Sequence, residues 1–146
     1  MSAAIGETER EAAIAELLRS GCSCVICNAS GLHSFYSRGV ADLYELLMTR
    51  PAELAGAFVA DKVVGKGAAA LMAAGGVAQV WTGVISLCAL ELFGKAGVEV
   101  EYGEAVPNII NRAGTGVCPV ETICSGVDDP SRCVPLIGAF LEKHSN

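Results

Sequence analysis

The stretch from Gly56 to Gly76 constrains the fold more than any other part of the sequence. Its first part, Gly56–Lys62, is a short run of mostly apolar residues, which is typical of a strand buried in a parallel sheet. Its second part, Val64–Ala74, is rich in alanine and glycine, which predicts a closely packed helix ended by the glycine pair that follows. A buried strand that leads directly into a helix is the first half of a βαβ unit.

The same alternation continues downstream, so we expect parallel strands. The pattern predicts a strand at Val77–Ser86, a helix at Leu87–Lys95 and a strand at Val98–Tyr102. Short connections of this kind require right-handed crossovers between parallel strands.

The chain before Gly56 predicts two helices and a β-hairpin. Apolar residues at helical spacing indicate helices at Glu7–Ser20 and Val40–Thr49. Between them, the β-rich runs Cys22–Asn28 and Leu32–Ser37 flank a turn-forming Ala-Ser-Gly, which indicates an antiparallel pair. We therefore expect an α/β fold, a three-layer α/β/α sandwich around a mixed five-stranded sheet.

The last part of the chain is less regular, and we expect residues 104–146 to form an irregular extension of a single domain over residues 1–146. Pro119 follows Cys118 and Pro130 follows Asp129, and both prolines are typical of the first position of a helix. Because Pro135 interrupts the second segment, we expect the final helix to run from Pro135 to Lys143.

Composition excludes several classes of function. Hydrophobic residues make up 52% of the chain and charged residues 18%, which is typical of a compact globular protein. A formal net charge of −6 argues against a nucleic-acid-binding surface, which needs clustered Lys and Arg. The longest apolar run is too short to span a bilayer, so we expect no membrane interaction.

Location and assembly follow from the same composition. The first residues contain no basic leader followed by a long apolar run, so we expect a cytoplasmic protein. The seven cysteines are then expected to be thiols rather than disulfides. With so few charges to cover its surface, the chain is expected to form a homo-oligomer through an apolar face.

The order of the predicted elements resembles the cytidine-deaminase-like fold. In that superfamily a His/Cys-Ala-Glu motif opens the helix after the hairpin and a Pro-Cys-x-x-Cys motif opens the helix after the third strand, and together they hold a catalytic zinc. Here the first place has Arg38-Gly39-Val40 and the second has Val64-Gly65-Lys66-Gly67-Ala68. The resemblance therefore implies the topology without the zinc ligands or the catalytic Glu, and we expect no metal and no cofactor.

Two strings are similar to segments of a small bacterial family of unknown function, which is placed in the deaminase-like fold without zinc. They are ADKVVGKGAAAL, from Ala60 to Leu71, and NRAGTGVCPVE, from Asn111 to Glu121. The similarity extends from about Cys24 to Ala139. Because that family has no established activity, the resemblance implies a fold and leaves the reaction open.

The charges at the junction of the predicted strand and helix indicate a ligand site. Ligands of parallel α/β sheets bind beyond the carboxyl ends of the strands, where free N–H groups at the start of a helix carry a partial positive charge. Asp61 would transfer a proton or orient the ligand; alternatively, it pairs with a lysine or caps the helix. Two lysines and two glycines would hold an anion there, although the glycines also suit close helix packing: Lys62, Lys66, Gly65, Gly67.

Four further residues are expected at this edge. Ser86 ends the next strand, where capping the following helix is its commoner role. Asn111, Arg112 and Thr115 lie in a glycine-containing loop that can fold over the edge, and Arg112 would either bind an anion or be solvated.

Cys118 and Glu121 form a second candidate constellation. A thiol at the N-cap of a helix meets the positive end of the helix dipole, which favours the nucleophilic thiolate. Glu121 falls at the third helical position, from which it is expected to reach back to the N–H of the cap. The alternative is a buried cysteine and a glutamate that only caps.

A metal site built from Cys22, Cys24 and Cys27 is not expected. On one continuous strand, Cys22 and Cys24 would share a face and Cys27 would point the other way, so the three thiols would not converge.

These features favour an enzyme or binding protein for a small anionic metabolite, with nucleotides among the candidates. In that hypothesis Asp61, Lys62, Cys118 and Glu121 do the chemistry, and the remaining site residues bind the ligand. The alternative is a non-catalytic, degenerate deaminase-like module that assembles with itself or with a partner.

Overall fold

The computed structural model describes residues 5–36, 40–110 and 114–144. The chain forms six helices and five strands within these residues: α1 (Glu7–Ser20), β1 (Cys24–Asn28), β2 (Gly31–Phe35), α2 (Ala41–Thr49), β3 (Phe58–Val64), α3 (Lys66–Ala74), β4 (Gln79–Ser86), α4 (Leu87–Ala96), β5 (Glu99–Val106), α5 (Pro119–Ile123) and α6 (Pro130–His144). A short 3₁₀ turn, Pro51–Glu53, lies between α2 and β3. None of the described helices is long and apolar enough to cross a membrane.

The strands form one mixed sheet in the order β2-β1-β3-β4-β5. β1 is antiparallel to both β2 and β3, whereas the β3–β4 and β4–β5 pairs are parallel. Helix α1 packs on one face of the sheet, and α2, α3, α4 and α6 share the core on the other face. The predicted α/β sandwich with a mixed five-stranded sheet is therefore confirmed.

Near the carboxyl ends of the parallel strands, the alternation of side chains between the two faces of the sheet is interrupted. Val59 and Val64 are buried in the same core cluster, although residues an odd number apart on a regular strand face opposite sides. The ladders on both sides of β4 skip Gly83 at this level. A Cβ on Gly103 of β5 would lie 2.9 Å from the carbonyl oxygen of Gly83, so glycine is required for this close approach. Asp61 is the last residue of β3 before the change, and it faces the core side.

Two expectations about the helices need correction. Helix α6 begins at Pro130 and continues through Pro135, so the prediction that Pro135 starts the final helix is wrong. Pro135 is exposed, and the hydrogen bond that it cannot donate concerns the carbonyl of the exposed Ser131. Helix α3 begins at Lys66, two residues later than predicted, because β3 continues to Val64.

The facing of the N-terminal cysteines also differs from the prediction. β1 begins only at Cys24, so the alternation assumed from Cys22 onward does not apply. Cys22 and Cys27 both pack in the cluster beneath α1, and Cys24 lies in the main core on the opposite face.

Candidate functional site

The carboxyl end of β3 opens into a cleft of about 750 Å³, here called the main cleft. Its polar lining comes from separate parts of the chain and includes Asp61, Lys62, Cys118 and Glu121. Its apolar wall comes largely from β1, α2, α5 and α6: Ile26, Leu43, Leu46, Val120, Phe140, Leu141. The sheet thus brings the four residues predicted to do chemistry to the lining of one cleft.

Asp61 is a half-buried carboxyl group beside a thiol. It is paired across the sheet with Cys24, whose thiol donates a hydrogen bond to it. The backbone N–H of Val63 also donates to Asp61 Oδ1, at 3.4 Å. Burial is the dominant influence and raises the pKa of Asp61 to about 7, so both protonation states are populated near neutrality. No ion pair with a lysine is found among the described residues, and Asp61 does not cap α3.

Glu121 is a buried carboxylate, only 4% exposed, on which several elements converge. Its Oε1 accepts hydrogen bonds from the backbone N–H of Lys66 at 2.9 Å, from Ser86 Oγ at 2.6 Å and from Cys88 Sγ at 3.3 Å. Its Oε2 accepts a short hydrogen bond from the backbone N–H of Ile109. The carboxylate therefore joins the starts of α3, α4 and α5 to the segment that follows β5.

This arrangement overturns the expected role of Glu121 within its own helix. The N–H of Cys118 is bonded to the carbonyl of Ile109 at 2.8 Å, and α5 has no side-chain cap. Glu121 instead accepts a hydrogen bond from the first N–H of α3. In its buried position it has several donors, which stabilise the carboxylate. One of the N–H groups predicted to bind the anion of a ligand therefore binds a carboxylate of the protein itself.

The glycines at the start of α3 permit close packing. A Cβ on Gly65 would lie 3.2 Å from both Glu121 Oε1 and a side-chain carbon of Ile109. A Cβ on Gly67 would overlap the side chain of Val120. Both glycines also line the main cleft, so their role in packing does not exclude contact with a ligand there.

The two predicted lysines line different cavities. Lys62 is exposed and lines the main cleft. Lys66 is only 6% exposed and lines a second cavity of about 450 Å³. This second cavity lies at the start of α4 and is lined by residues that include Lys66, Leu87, Cys88, Asn108, Glu121 and Ser125. Glu121 borders both spaces.

Cys118 is half-buried at the N-cap of α5, where the sequence placed it, and its residue lines the main cleft with Asp61. Burial raises the pKa of most other thiols, including Cys24 and Cys88, and raises the pKa of Cys124 to about 12. A raised pKa keeps these thiols protonated at neutral pH.

The other predicted binding residues fall in different places. Ser86 is buried and caps α4, with its Oγ accepting from the N–H of Ala89 at 3.2 Å while donating to Glu121. Thr115 is exposed. Asn111 and Arg112 lie outside the described residues, so their binding roles stay predictions.

Cys24 and Cys88 are the residues of this region that sequence reasoning missed. Each touches a carboxyl group from a distant part of the chain, Asp61 and Glu121 respectively. The position of Cys88 two residues after Ser86, at the end of a parallel strand, was the only available signal for this pair.

The residues at the start of α3 do not fit the catalytic zinc of the cytidine-deaminase-like fold. Gly65 and Gly67 offer no side-chain ligand, and Lys66 contributes its N–H to Glu121 and its side chain to the second cavity. The other motif position, Arg38-Gly39, lies outside the described residues. Among residues 5–36, 40–110 and 114–144, no three His, Cys, Asp or Glu side chains converge as a ligand set.

Comparison with known proteins identifies the family. The sequence matches the domain of unknown function DUF1893 (TM1506) over residues 12–141. The structure is similar to the crystal structure of a DUF1893 family protein (TM1506) from Thermotoga maritima, with a TM-score of 0.85 and 23% identity over 96% of this chain and 95% of that chain. At this identity the likeness shows a shared fold, and no curated protein matches the sequence. Because the family match spans most of its length, the chain belongs to the DUF1893 family.

Proposed function

We propose that this DUF1893 protein binds or acts on a small metabolite with an anionic group, such as a nucleotide, in the main cleft. The observation that carries the proposal is that Asp61, Lys62 and Cys118, from separate elements, line one space of about 750 Å³. That volume and the mixture of apolar walls with a few convergent polar groups are typical of small-molecule sites.

Each polar residue has a distinct role in this proposal. Lys62 binds the anionic group, because its side chain is exposed at the cleft. Asp61, with a pKa of about 7, donates or accepts a proton at the ligand. Cys118 is the candidate nucleophile. Glu121 positions the starts of α3 and α5, since its oxygens already accept four hydrogen bonds.

The apolar wall restricts the ligand further. Leu43 and Leu46 of α2 face the same cleft as the charged residues. A purely ionic ligand would leave this wall without a partner, whereas a ring or short chain attached to the anionic group would cover it. We therefore favour nucleotides and phosphorylated metabolites that carry an aromatic or alkyl part.

A thermal-shift screen tests this function. We expect at least one nucleotide or phosphorylated metabolite to raise the Tm of the wild-type protein, and the shift to fall sharply in Lys62→Met and Asp61→Asn. Lys143→Met, which removes an exposed lysine of α6 that does not line the cleft, is the matched control and should keep the shift. An equal shift in Lys62→Met and Lys143→Met would reject the main cleft as the binding site.

The deaminase-like relationship is a second part of the proposal. The element order from α1 to β5 is the order on which the resemblance rests, and this supports a deaminase-like topology for the family. The residues at the start of α3 do not support zinc-dependent deamination. We also place the protein in the cytoplasm, because buried thiols such as Cys24 and Cys133 are typical of a reducing compartment.

Self-assembly is a second candidate function, favoured by exposed apolar side chains at the same edge of the sheet. Four of these side chains are at least 39% exposed: Val63, Leu87, Ile110, Val117. Val63 and Leu87 lie at the ends of parallel strands, and Ile110 and Val117 lie between β5 and α5. A second copy of the chain would cover them. The oligomeric mass in solution tests this candidate.

A further inference from the structure

Lys66 is a buried cation without a charged partner. The residue is only 6% exposed. None of the hydrogen bonds or ion pairs among the described residues involves its ammonium group. The described residues also contain no fully buried side-chain nitrogen or oxygen without a partner. The ammonium group of Lys66 is therefore not fully enclosed, and the cavity that Lys66 lines is the second cavity.

The start of α4 faces the same cavity. Ser86 Oγ satisfies the N–H of Ala89, the third residue of the helix. Leu87 and Cys88 also line the cavity. Their N–H groups have no acceptor within the helix, because both residues belong to its first turn. This end of a ten-residue helix carries a partial positive charge, which adds to that of Lys66.

Two carboxylates border the cavity, and each already has partners of its own. Glu121 accepts four hydrogen bonds through its two oxygens. Glu91 is exposed and forms an ion pair with Lys95 at 3.3 Å. Neither carboxylate lies within 4.0 Å of the Lys66 ammonium, which is the distance of an ion pair. Among the described residues that line the cavity, the ammonium of Lys66 is therefore the one charged group with neither a hydrogen bond nor an ion pair.

We propose that the second cavity is a binding site for a small oxyanion, a phosphate or carboxylate group, held between the ammonium of Lys66 and the start of α4. Buried cations are stabilised by a direct counter-charge, and helix starts with free N–H groups are established anion-binding positions. Asn108, Thr122 and Ser125 line the rim and offer hydrogen-bonding side chains. The cavity volume of about 450 Å³ exceeds that of inorganic phosphate, so the natural ligand is a small metabolite bearing the oxyanion.

This site does not depend on the function proposed for the main cleft. The main cleft is lined by Lys62 and Asp61, and the second cavity by Lys66 and Cys88. Loss of binding at one site therefore leaves the other available for measurement.

Titration of the wild-type protein with inorganic phosphate and with acetate, at constant ionic strength against chloride, tests the proposal. We expect a saturable rise in Tm with at least one of the two oxyanions. Lys66→Met should weaken binding of that oxyanion by about tenfold or more, because hydrogen bonds to charged groups contribute about 1.5–3 kcal/mol. Lys143→Met, which removes an exposed lysine that lines neither cavity, should leave its dissociation constant unchanged.

A second pair of variants keeps the test decisive if Lys66→Met does not fold. Ser125 is exposed at the rim, so its substitution should not disturb the core. Ser125→Asp places a negative charge beside the bound anion and should weaken binding severalfold, whereas the isosteric, uncharged Ser125→Asn should not. The proposal is overturned if neither oxyanion has a saturable effect on the wild type, if Lys62→Met abolishes the effect and folded Lys66→Met does not, or if the two Ser125 variants bind equally.

Discussion

At the scale of single residues, the site depends on two carboxyl groups held in opposite environments. Glu121 is almost fully buried but accepts hydrogen bonds from three elements and a connecting segment, so its charge is distributed over four donors. Asp61 accepts from the Cys24 thiol and the backbone N–H groups of Lys62 and Val63, and burial outweighs these donors and raises its pKa.

Asp61 should make the stability of the protein depend on pH. Its pKa rises from 3.8 to about 7 on folding, so the folded state binds more protons than the unfolded state between these values. Stability contributed by the protonated carboxyl is therefore lost as the pH rises from about 4 to 7, by an amount on the order of 3 kcal/mol. The stability of Asp61→Asn relative to the wild type should therefore be higher at pH 8 than at pH 4.5, as measured by urea denaturation.

Asp129 provides a control of opposite sign for this measurement. Hydrogen bonds from Ser131 lower the pKa of this exposed carboxyl. Asp129→Asn should therefore lose stability relative to the wild type above pH 4 and should approach it as the pH falls. A wild-type protein that differs from Asp61→Asn equally at pH 4.5 and pH 8 would show that Asp61 titrates normally.

At the scale of elements, α3 and α4 contain glycines with contrasting surroundings. Gly67 lies against Val120, where an added Cβ would overlap the valine side chain, while Gly94 has nothing within 4 Å of an added Cβ. We expect Gly67→Ala to lower the free energy of unfolding by about 1–3 kcal/mol through overpacking. Gly94→Ala should raise it by about 0.5–1 kcal/mol, because alanine favours helix.

Urea denaturation of both variants, and of Gly67→Ala combined with Val120→Ala, measures this difference. If the overlap is the cause, the loss due to Gly67→Ala should shrink when Val120 is shortened. Equal effects of Gly67→Ala and Gly94→Ala would contradict close packing of α3 on α5.

The elements show how much of the fold could be read from local pattern. Helix α1 was predicted with its observed bounds, because its apolar spacing and the left-handed glycine Gly21 at its end are local signals. The predicted start of α6 is wrong because the rule that proline interrupts a helix does not consider exposure to solvent. Pro135 faces solvent. The face of Cys22 was wrong because it depends on where β1 begins, which cross-strand pairing decides.

The sequence predicts where the candidate site lies but not which residues its side chains contact. Strand ends in a parallel sheet must meet at one edge, so Asp61 and Ser86 could be placed together, whereas the sequence left open whether Cys118 reaches that edge. The partners of Glu121 could not, since they lie up to 55 residues away and depend on how α5 docks on α3. The burial of Lys66 has the same origin, because only tertiary packing decides whether a lysine at a helix start turns inward.

At the scale of the whole molecule, the carboxyl edge of the sheet carries both cavities and several exposed apolar side chains. Val63 and Ile110 line the main cleft, and Leu87 and Val117 line the second cavity. The proposed ligand binding and the proposed self-assembly therefore concern the same surface. A second copy docked there would narrow the mouths of both spaces and cover apolar area that water otherwise meets.

We expect light scattering after size exclusion to give a mass above that of one 15.0 kDa chain. Substitution of Leu87, which is 53% exposed at this edge, with Lys should shift the mass towards the monomer, because a charge placed in an apolar interface must be desolvated. The matched control is Leu18→Lys on α1, 66% exposed on the opposite side of the sheet, which should leave the mass unchanged. A monomeric wild type would remove self-assembly as a function, whereas dissociation by Leu18→Lys alone would move the interface to α1 and leave both cavities open in the oligomer.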